Sequence, residues 1–249
     1  LPELEQAAPI VLNEEQQRAY GGLLELAQSG LPAAALLYGI TGSGKTQVYL
    51  KLIHTLLDCG KTALVMAPEI ALTPQLMRIF TSHFGRKVAI LHSSLSAGER
   101  YDEWKRVRRG EAKVVVGTRS AIFAPLPDLG LIILDEEQEP SYKSEQSPRY
   151  HARDVAKRRC YKAGALLLLG SATPSVETMY HAQKGDYHLF QMGHRYNERA
   201  LPQVNIIDMR DELHRGNGGC ISSELARLLE ETIDQGEQAI LFLNRRGAN

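Results

Sequence analysis

The 249 residues include 29 basic and 29 acidic side chains, 43% apolar residues and 23% charged ones, which are globular proportions with no overall field for a polyanion, although a basic track can be local. Cys59, Cys160 and Cys220 are isolated, odd in number and without C-x-x-C spacing, which argues against a disulfide framework or a zinc site within these residues. No apolar run approaches the roughly 18 residues of a membrane span, so a soluble protein of a reducing cytoplasm, with no membrane partner, is expected.

Taken in chain order, Leu12-Asn13-Glu14-Glu15-Gln16 comes first. A glutamine amide sets one donor beside one acceptor and so matches the N6 and N7 edge of adenine. The alternative for Gln16 is an ordinary surface helix residue. Residues 34–38 then form an apolar run of strand length, and Val48, Leu52, Ile53 and Leu56 recur at helical spacing over 45–57. Between them, Gly39-Ile40-Thr41-Gly42-Ser43-Gly44-Lys45-Thr46 fits G-x-x-x-x-G-K-[ST] without mismatch, placed where a strand turns into a helix. In that setting backbone N–H groups and a helix N-terminus surround phosphates, Lys45 neutralises them, and the Thr46 hydroxyl ligates Mg²⁺.

Further strands are expected over 62–67, 87–91, 113–117, 131–134 and 165–169, near-continuous apolar runs that imply a parallel sheet with helices on both faces. Thr73-Pro74 and Thr173-Pro174 each set a capping hydroxyl before a proline at the first helical position, and Ser96 with Glu99 reads as a capping box. The clusters Lys105-Arg106-Val107-Arg108-Arg109 and Lys157-Arg158-Arg159 fit solvated helix ends better than a nucleic-acid track. Asp135-Glu136, after the strand at 131–134 and about ninety residues beyond Lys45, can hold the metal (Asp135) and deprotonate an attacking water (Glu136). Read alone, the same residues are an acidic loop after a buried strand.

A boundary is expected between Gln191 and Pro202, with residues 1–198 as one unit and 199–249 as the start of another. In the second, 204–209 reads as a strand, 211–219 as a polar Gly-rich loop, Leu225, Leu228, Leu229 and Ile233 as one helix face stopped by Gly236, and 238–243 as a strand. Residue 1 is Leu and the last apolar run stops near Asn249, so the chain is expected to be a piece of a longer protein.

These segments, in order, resemble the motor core of superfamily 2 helicases, and their wording is closest to the primosomal replication-restart helicases of bacteria. Gln16 looks like the adenine-reading Q motif, residues 39–46 like motif I, Ala67-Pro68-Glu69-Ile70-Ala71-Leu72-Thr73 like motif Ia and Gly117-Thr118-Arg119-Ser120 like motif Ib. Asp135-Glu136-Glu137-Gln138 looks like motif II, Gly170-Ser171-Ala172-Thr173-Pro174-Ser175 like motif III and Phe242-Leu243-Asn244-Arg245-Arg246-Gly247 like motif IV.

The resemblance implies a RecA-like P-loop NTPase fold of the α/β class. It also implies an ATP- and Mg²⁺-dependent helicase that unwinds forked or single-stranded DNA 3′ to 5′, with primosome proteins and single-strand binding protein as partners and zinc held only after Asn249. It implies that 139–150 is an aromatic-rich loop coupling DNA to ATP hydrolysis, with Tyr142, Lys143 and Tyr150 on DNA beside Thr73, Thr118 and Arg119. The other possibility for that loop is a solvated segment whose tyrosines pack on the sheet edge. Motif II departs from the family in carrying Gln138 where His is usual; an amide can still bond toward Ser171 or Thr173.

An RNA helicase or a restriction-type translocase is the alternative on the same core. An ATP-controlled binding module without turnover is the reading of another class, and it has no use for Glu136. The arginines that complete the ATP site in the superfamily come from later motifs, so weak ATP binding with little turnover is expected of these residues by themselves.

Overall fold

The computed structural model describes residue 7 and residues 9–194 and 203–242. The chain divides into two compact units, Leu1–Arg199 and Ala200–Asn249.

In the first unit the elements run α1 (Glu14–Gln28), β1 (Ala33–Gly39), α2 (Lys45–Asp58), β2 (Thr62–Met66), α3 (Pro74–Phe84), β3 (Val88–Leu91), α4 (Ala97–Arg108), β4 (Val114–Gly117), β5 (Leu129–Asp135), α5 (Ala152–Ala163), β6 (Leu166–Ser171), α6 (Val176–Lys184) and β7 (His188–Met192). The seven strands make one sheet in the order β3-β4-β2-β5-β6-β1-β7, and every pair is parallel. Parallel strands need crossovers that lay helices on the sheet, which is why β2, β4 and β6 are buried along their whole length. Successive side chains alternate: Leu37, Val65 and Ile133 join α1, α2 and α3 in one core, while Leu36, Leu64 and Ile132 join Val107 of α4, Ala156 of α5 and Ala182 of α6 in the other.

Two of the three expected helix starts hold, those at Thr73-Pro74 and Ser96, and α1 has a capping box that the sequence reading did not name. Asn13 and Gln16 form a capping box on α1, Ser96 and Glu99 another on α4, and the Thr73 hydroxyl accepts from the Leu76 N–H ahead of Pro74. Three differences stand out. Helix α6 begins at Val176 with Ser175 as cap, because the buried Glu137 carboxylate takes the Ser175 N–H at 2.7 Å and leaves Thr173 outside the helix. Lys157, Arg158 and Arg159 lie within α5, where Arg159 donates to the carbonyls of Ile122 and Ala124 instead of facing water. Strand β7 is an edge strand on β1 with one buried residue, Met192, and so lacks the apolar run that announces the others.

The second unit holds α7 (Met209–His214) and α8 (Ser223–Asp234), capped by Asp208 and Ser222. The Glu212 carboxylate ties them together by accepting the Ser223 N–H at 2.6 Å, its hydroxyl at 2.7 Å and the Asn217 amide at 2.9 Å. The strand expected at 204–209 is irregular chain that enters α7 at Met209, so the helix takes the place of the first half of the expected loop. Residues 238–242 are likewise not a strand. Neither segment has a ladder partner among the described residues, and an unpaired strand leaves its N–H and C=O groups to water. Residues 243–247 of the motif IV segment and residues 195–202 of the boundary segment lie outside the described residues.

Candidate functional site

Three neighbouring strands, β5, β6 and β1, end side by side, and their register sets Asp135 level with Gly170 and Gly170 level with Leu37. The carboxyl edge of a parallel sheet is where such folds hold ligands. The turn from β1 into α2 occupies this edge. Gly42 and Gly44 both have φ +81°, a region that side chains with a Cβ rarely enter, and Gly44 caps α2 without a side-chain bond. The first N–H groups of α2 thus keep their partial positive charge free for an anion.

Two side chains of the loop point the same way. The Ser43 hydroxyl is buried with no hydrogen-bond partner among the described residues, and the Lys45 ammonium rests on the Gly39 carbonyl at 3.0 Å. A buried orphan hydroxyl costs free energy that an acceptor can recover. Thr46 is half-buried on the first turn of α2, whereas Thr41 and Gly42 are exposed. The uncapped helix, the orphan Ser43 and the cation fit a polyphosphate, and the Asp135 carboxylate at the end of β5 fits a hard cation between the two.

Burial pushes the Asp135 carboxyl above its usual range, against the lowering effect of a bond from the Tyr49 hydroxyl at 2.9 Å and of the nearby Lys45 charge. Tyr49 lies one turn beyond Lys45 on α2, and its own hydroxyl is held far from ionisation by burial and by the Asp135 charge. Sequence reasoning missed Tyr49. Its i+4 spacing from Lys45 was the available signal, but a tyrosine among Val48, Leu50 and Leu52 reads as core. Gly170 makes room for the pair, since a Cβ there would come within 1.8 Å of the Tyr49 hydroxyl oxygen.

After Asp135 the chain turns sharply. Glu136 has φ +47°, a strained left-handed conformation, and its carboxylate accepts the Gln138 amide N–H at 2.9 Å. The Gln138 carbonyl accepts the Ser171 hydroxyl at 2.6 Å, and Ser171 Oγ accepts the Thr173 N–H at 2.9 Å. Gln138, Ser171 and Thr173 therefore form one hydrogen-bonded path that starts at Glu136. Glu137, which sequence reasoning treated only as part of an acidic run, is buried. It collects the Ser175 N–H, the Thr178 hydroxyl at 2.9 Å and the Arg153 guanidinium at 3.3 Å.

Gln16 is not the surface helix residue of the alternative reading. It is fully buried, its Oε1 accepts the Asn13 N–H at 2.9 Å and its Nε2 donates to the Ser43 carbonyl at 2.9 Å. Each end of the amide makes one bond inside the chain and so braces the loop at Ser43, while a second N–H and a second lone pair of the amide are left over.

The residues expected on nucleic acid line the ends of the neighbouring strands β4, β2 and β5. Thr73 and Lys143 are exposed there, while Thr118 is buried after β4. Arg119 donates to the carbonyls of Ser141 at 3.2 Å and Lys143 at 2.5 Å, which pins the loop after β5. Tyr150 is half-buried, with the Arg119 guanidinium 6.0 Å from its ring and Phe123 edge-on at 5.0 Å. Tyr142 is a correction to the expectation. It is fully buried, its hydroxyl donating to the carbonyls of Asp135 at 2.7 Å and Met66 at 2.9 Å, because two strand ends meet there and need both a filler and a donor. No base can reach that ring.

Comparison with known proteins adds a family. Residues 13–181 match the DEAD/DEAH box helicase family. The chain is 51% identical over 239 residues to the replication restart protein PriA of Bacillus subtilis (strain 168), covering 96% of this chain and 30% of that protein. It is 50% identical over 217 residues to the PriA of a Synechocystis strain, with 85% and 26% covered, and 41% identical over 238 residues to that of Haemophilus influenzae, with 96% and 32% covered. The chain thus spans about 30% of the length of the curated relatives it matches. Among solved structures, RecG bound to a three-way DNA junction superposes with a TM-score of 0.61 at 22% identity, covering 92% of this chain and 29% of that one. The Hef helicase domain of Pyrococcus furiosus gives 0.53 at 19% identity, covering 89% and 53%. These two likenesses show a shared fold.

Proposed function

The chain belongs to the DEAD/DEAH box helicase family, and we propose that it is the ATP-binding part of the motor of a bacterial replication-restart DNA helicase. Residues 1–198 serve as the first helicase lobe and 199–249 open the second. The observation that carries this reading is the bonded path from Glu136 through Gln138 to Ser171 and Thr173, beside an uncapped helix N-terminus that holds Lys45 and an unsatisfied Ser43. Such a path connects the residue that would do the chemistry to the segment after β6.

In this reading the loop N–H groups, Ser43 and Lys45 hold the β- and γ-phosphates of ATP, while Thr46 and Asp135 hold Mg²⁺. Bound Mg²⁺ supplies charge neutralisation at the phosphoryl oxygens. Glu136 accepts the proton of the attacking water, its carboxylate held in place by the Gln138 amide. Gln16 fixes the loop at Ser43 from behind. Thr73, Thr118, Arg119, Lys143 and Tyr150 make up the DNA edge. Zinc outside this chain, primosome proteins, single-strand binding protein and a cytoplasmic location complete the proposal. Among the described residues, no helix is long and apolar enough to cross a membrane.

The test is ATP turnover by the full-length protein with forked DNA, single-stranded DNA or RNA, alongside Glu136→Gln. Stimulation by DNA is expected, with turnover falling about 10²- to 10⁴-fold in the variant. Stimulation by RNA alone would overturn the DNA assignment, and full turnover in Glu136→Gln would remove the base.

A further inference from the structure

Helix α4 carries an inverted stripe. Ala97, Arg100, Tyr101, Trp104, Lys105 and Arg108 recur at spacings of three and four, the row that ordinarily packs a helix on its core. Here Val107 makes the buried contact, and the stripe lines a groove of about 890 Å³ whose remaining walls include Leu91 at the end of β3 and Phe123 in the turn after β4. Tyr101 is 61% exposed, Phe123 47% and Trp104 36%. Single exposed aromatics are unremarkable on a folded surface, but three converging on one groove mark a binding site.

The charge of the groove has one sign. Arg100, Lys105 and Arg108 have no ion pair among the described residues, and no carboxylate lines the groove. The Lys105 ammonium lies 4.1 Å above the Tyr101 ring, and Arg109 shares its charge with Glu111 at 3.8 Å. By contrast Arg106, outside the groove lining, is neutralised by Glu103 at 2.7 Å. Unpaired cations interleaved with open aromatic faces suit a ligand that is a polyanion with flat apolar groups.

We propose that this groove binds single-stranded DNA, with bases stacked on Trp104 and Tyr101 and phosphates held by Arg100, Lys105 and Arg108. An acidic peptide would answer the cations equally well. Continuity favours DNA: Phe123 of the groove meets Tyr150 at 5.0 Å, and Arg119 lies 6.0 Å from the same ring. Those two residues stand on the edge assigned to DNA above, and the inference rests on that reading. It extends the track outward past β4 to β3, beyond the motif residues.

The experiment uses the full-length protein, a thymidine oligonucleotide carrying 5-iododeoxyuridine for photocrosslinking, and the double variants Tyr101→Ala/Trp104→Ala and Arg100→Glu/Arg108→Glu. Loss of the two stacking rings is expected to weaken single-strand binding roughly tenfold or more, and reversal of two phosphate contacts about as much. The charge variant should also flatten the salt dependence. Crosslinks should map to α4, and ATP turnover without DNA should match the unaltered protein. Unchanged affinity in both variants with crosslinks confined elsewhere overturns the groove while leaving the helicase reading intact. Retained DNA affinity together with loss of binding to an Asp/Glu/Phe peptide would assign the groove to a protein partner and overturn the inference. Failure of the unaltered protein to bind DNA would sink both readings.

Discussion

At the site, single atoms decide what each residue can do. The raised Asp135 carboxyl means that folding disfavours its charged form, so at neutral pH the ionised group detracts from the stability of the ligand-free protein. Asp135→Asn should therefore raise the ligand-free melting temperature at neutral pH and abolish Mg·ATP binding. The sign follows from linkage: the difference is full above the raised folded pKa, shrinks as the pH falls through it, and vanishes below the ordinary value of 3.8, where both side chains are neutral. Melting curves taken across that window, with and without Mg·ATP, check both halves. Gln138 offers a second test, because its amide alone spans Glu136 and Ser171. Gln138→Leu should leave ATP turnover measurable but lower the DNA unwound per ATP consumed; unchanged stoichiometry in a coupled assay would show that the path carries no coupling. The resemblance to helicase motifs II and III made a bond from Gln138 toward Ser171 or Thr173 legible beforehand, whereas its bond to Glu136 was not foreseen and the Gln16 to Ser43 brace depends on α1 lying against the loop.

For whole elements, the link between motif II and α6 is the buried Glu137. It satisfies the N-terminus of α6 and neutralises Arg153 at once, and a carboxylate doing both cannot be removed without leaving donors unpaired. Glu137→Ala is expected to cost about 2–3 kcal/mol, discounted because Arg153 keeps some contact with water. Chemical denaturation would show this as a lower midpoint at constant slope, and a change under 0.5 kcal/mol would count against the role. The buried strands were legible because a parallel strand covered on both faces must be apolar almost throughout, as 63–66 and 131–134 are. Strand β7 was not, since an edge strand needs only ladder bonds to β1 and carries mixed side chains. The start of α6 was misplaced for a related reason: Thr173-Pro174 is a sound local signal, and Glu137 overrides it from the turn after β5.

On the scale of the molecule, all seven strands and both core clusters fall within the first unit, while the described part of the second has two helices and no strand. A truncation after His194 should accordingly keep cooperative unfolding, with a melting temperature within a few degrees of the longer chain, as scanning calorimetry can show. Broad, non-cooperative melting would mean that the first core depends on the second unit. Turnover by this chain alone should lie roughly 10³-fold or more below that of the full-length protein, because an arginine brought to the transferring phosphoryl group from outside the phosphate loop is worth that factor in phosphoryl transfer.

Sequence alone determined the motifs and their order along the chain. The glycine-lysine loop, the acidic pair and most helix caps are set by backbone geometry over a few residues, so their meaning survives without knowledge of neighbours. Tertiary structure decided which groups remain available. Tyr142 was drawn under the ends of β2 and β5, and the basic, aromatic stripe of α4 was left open to solvent. Burial and pairing are properties of the assembled sheet, and the residue pattern cannot state them before the strands have found their order.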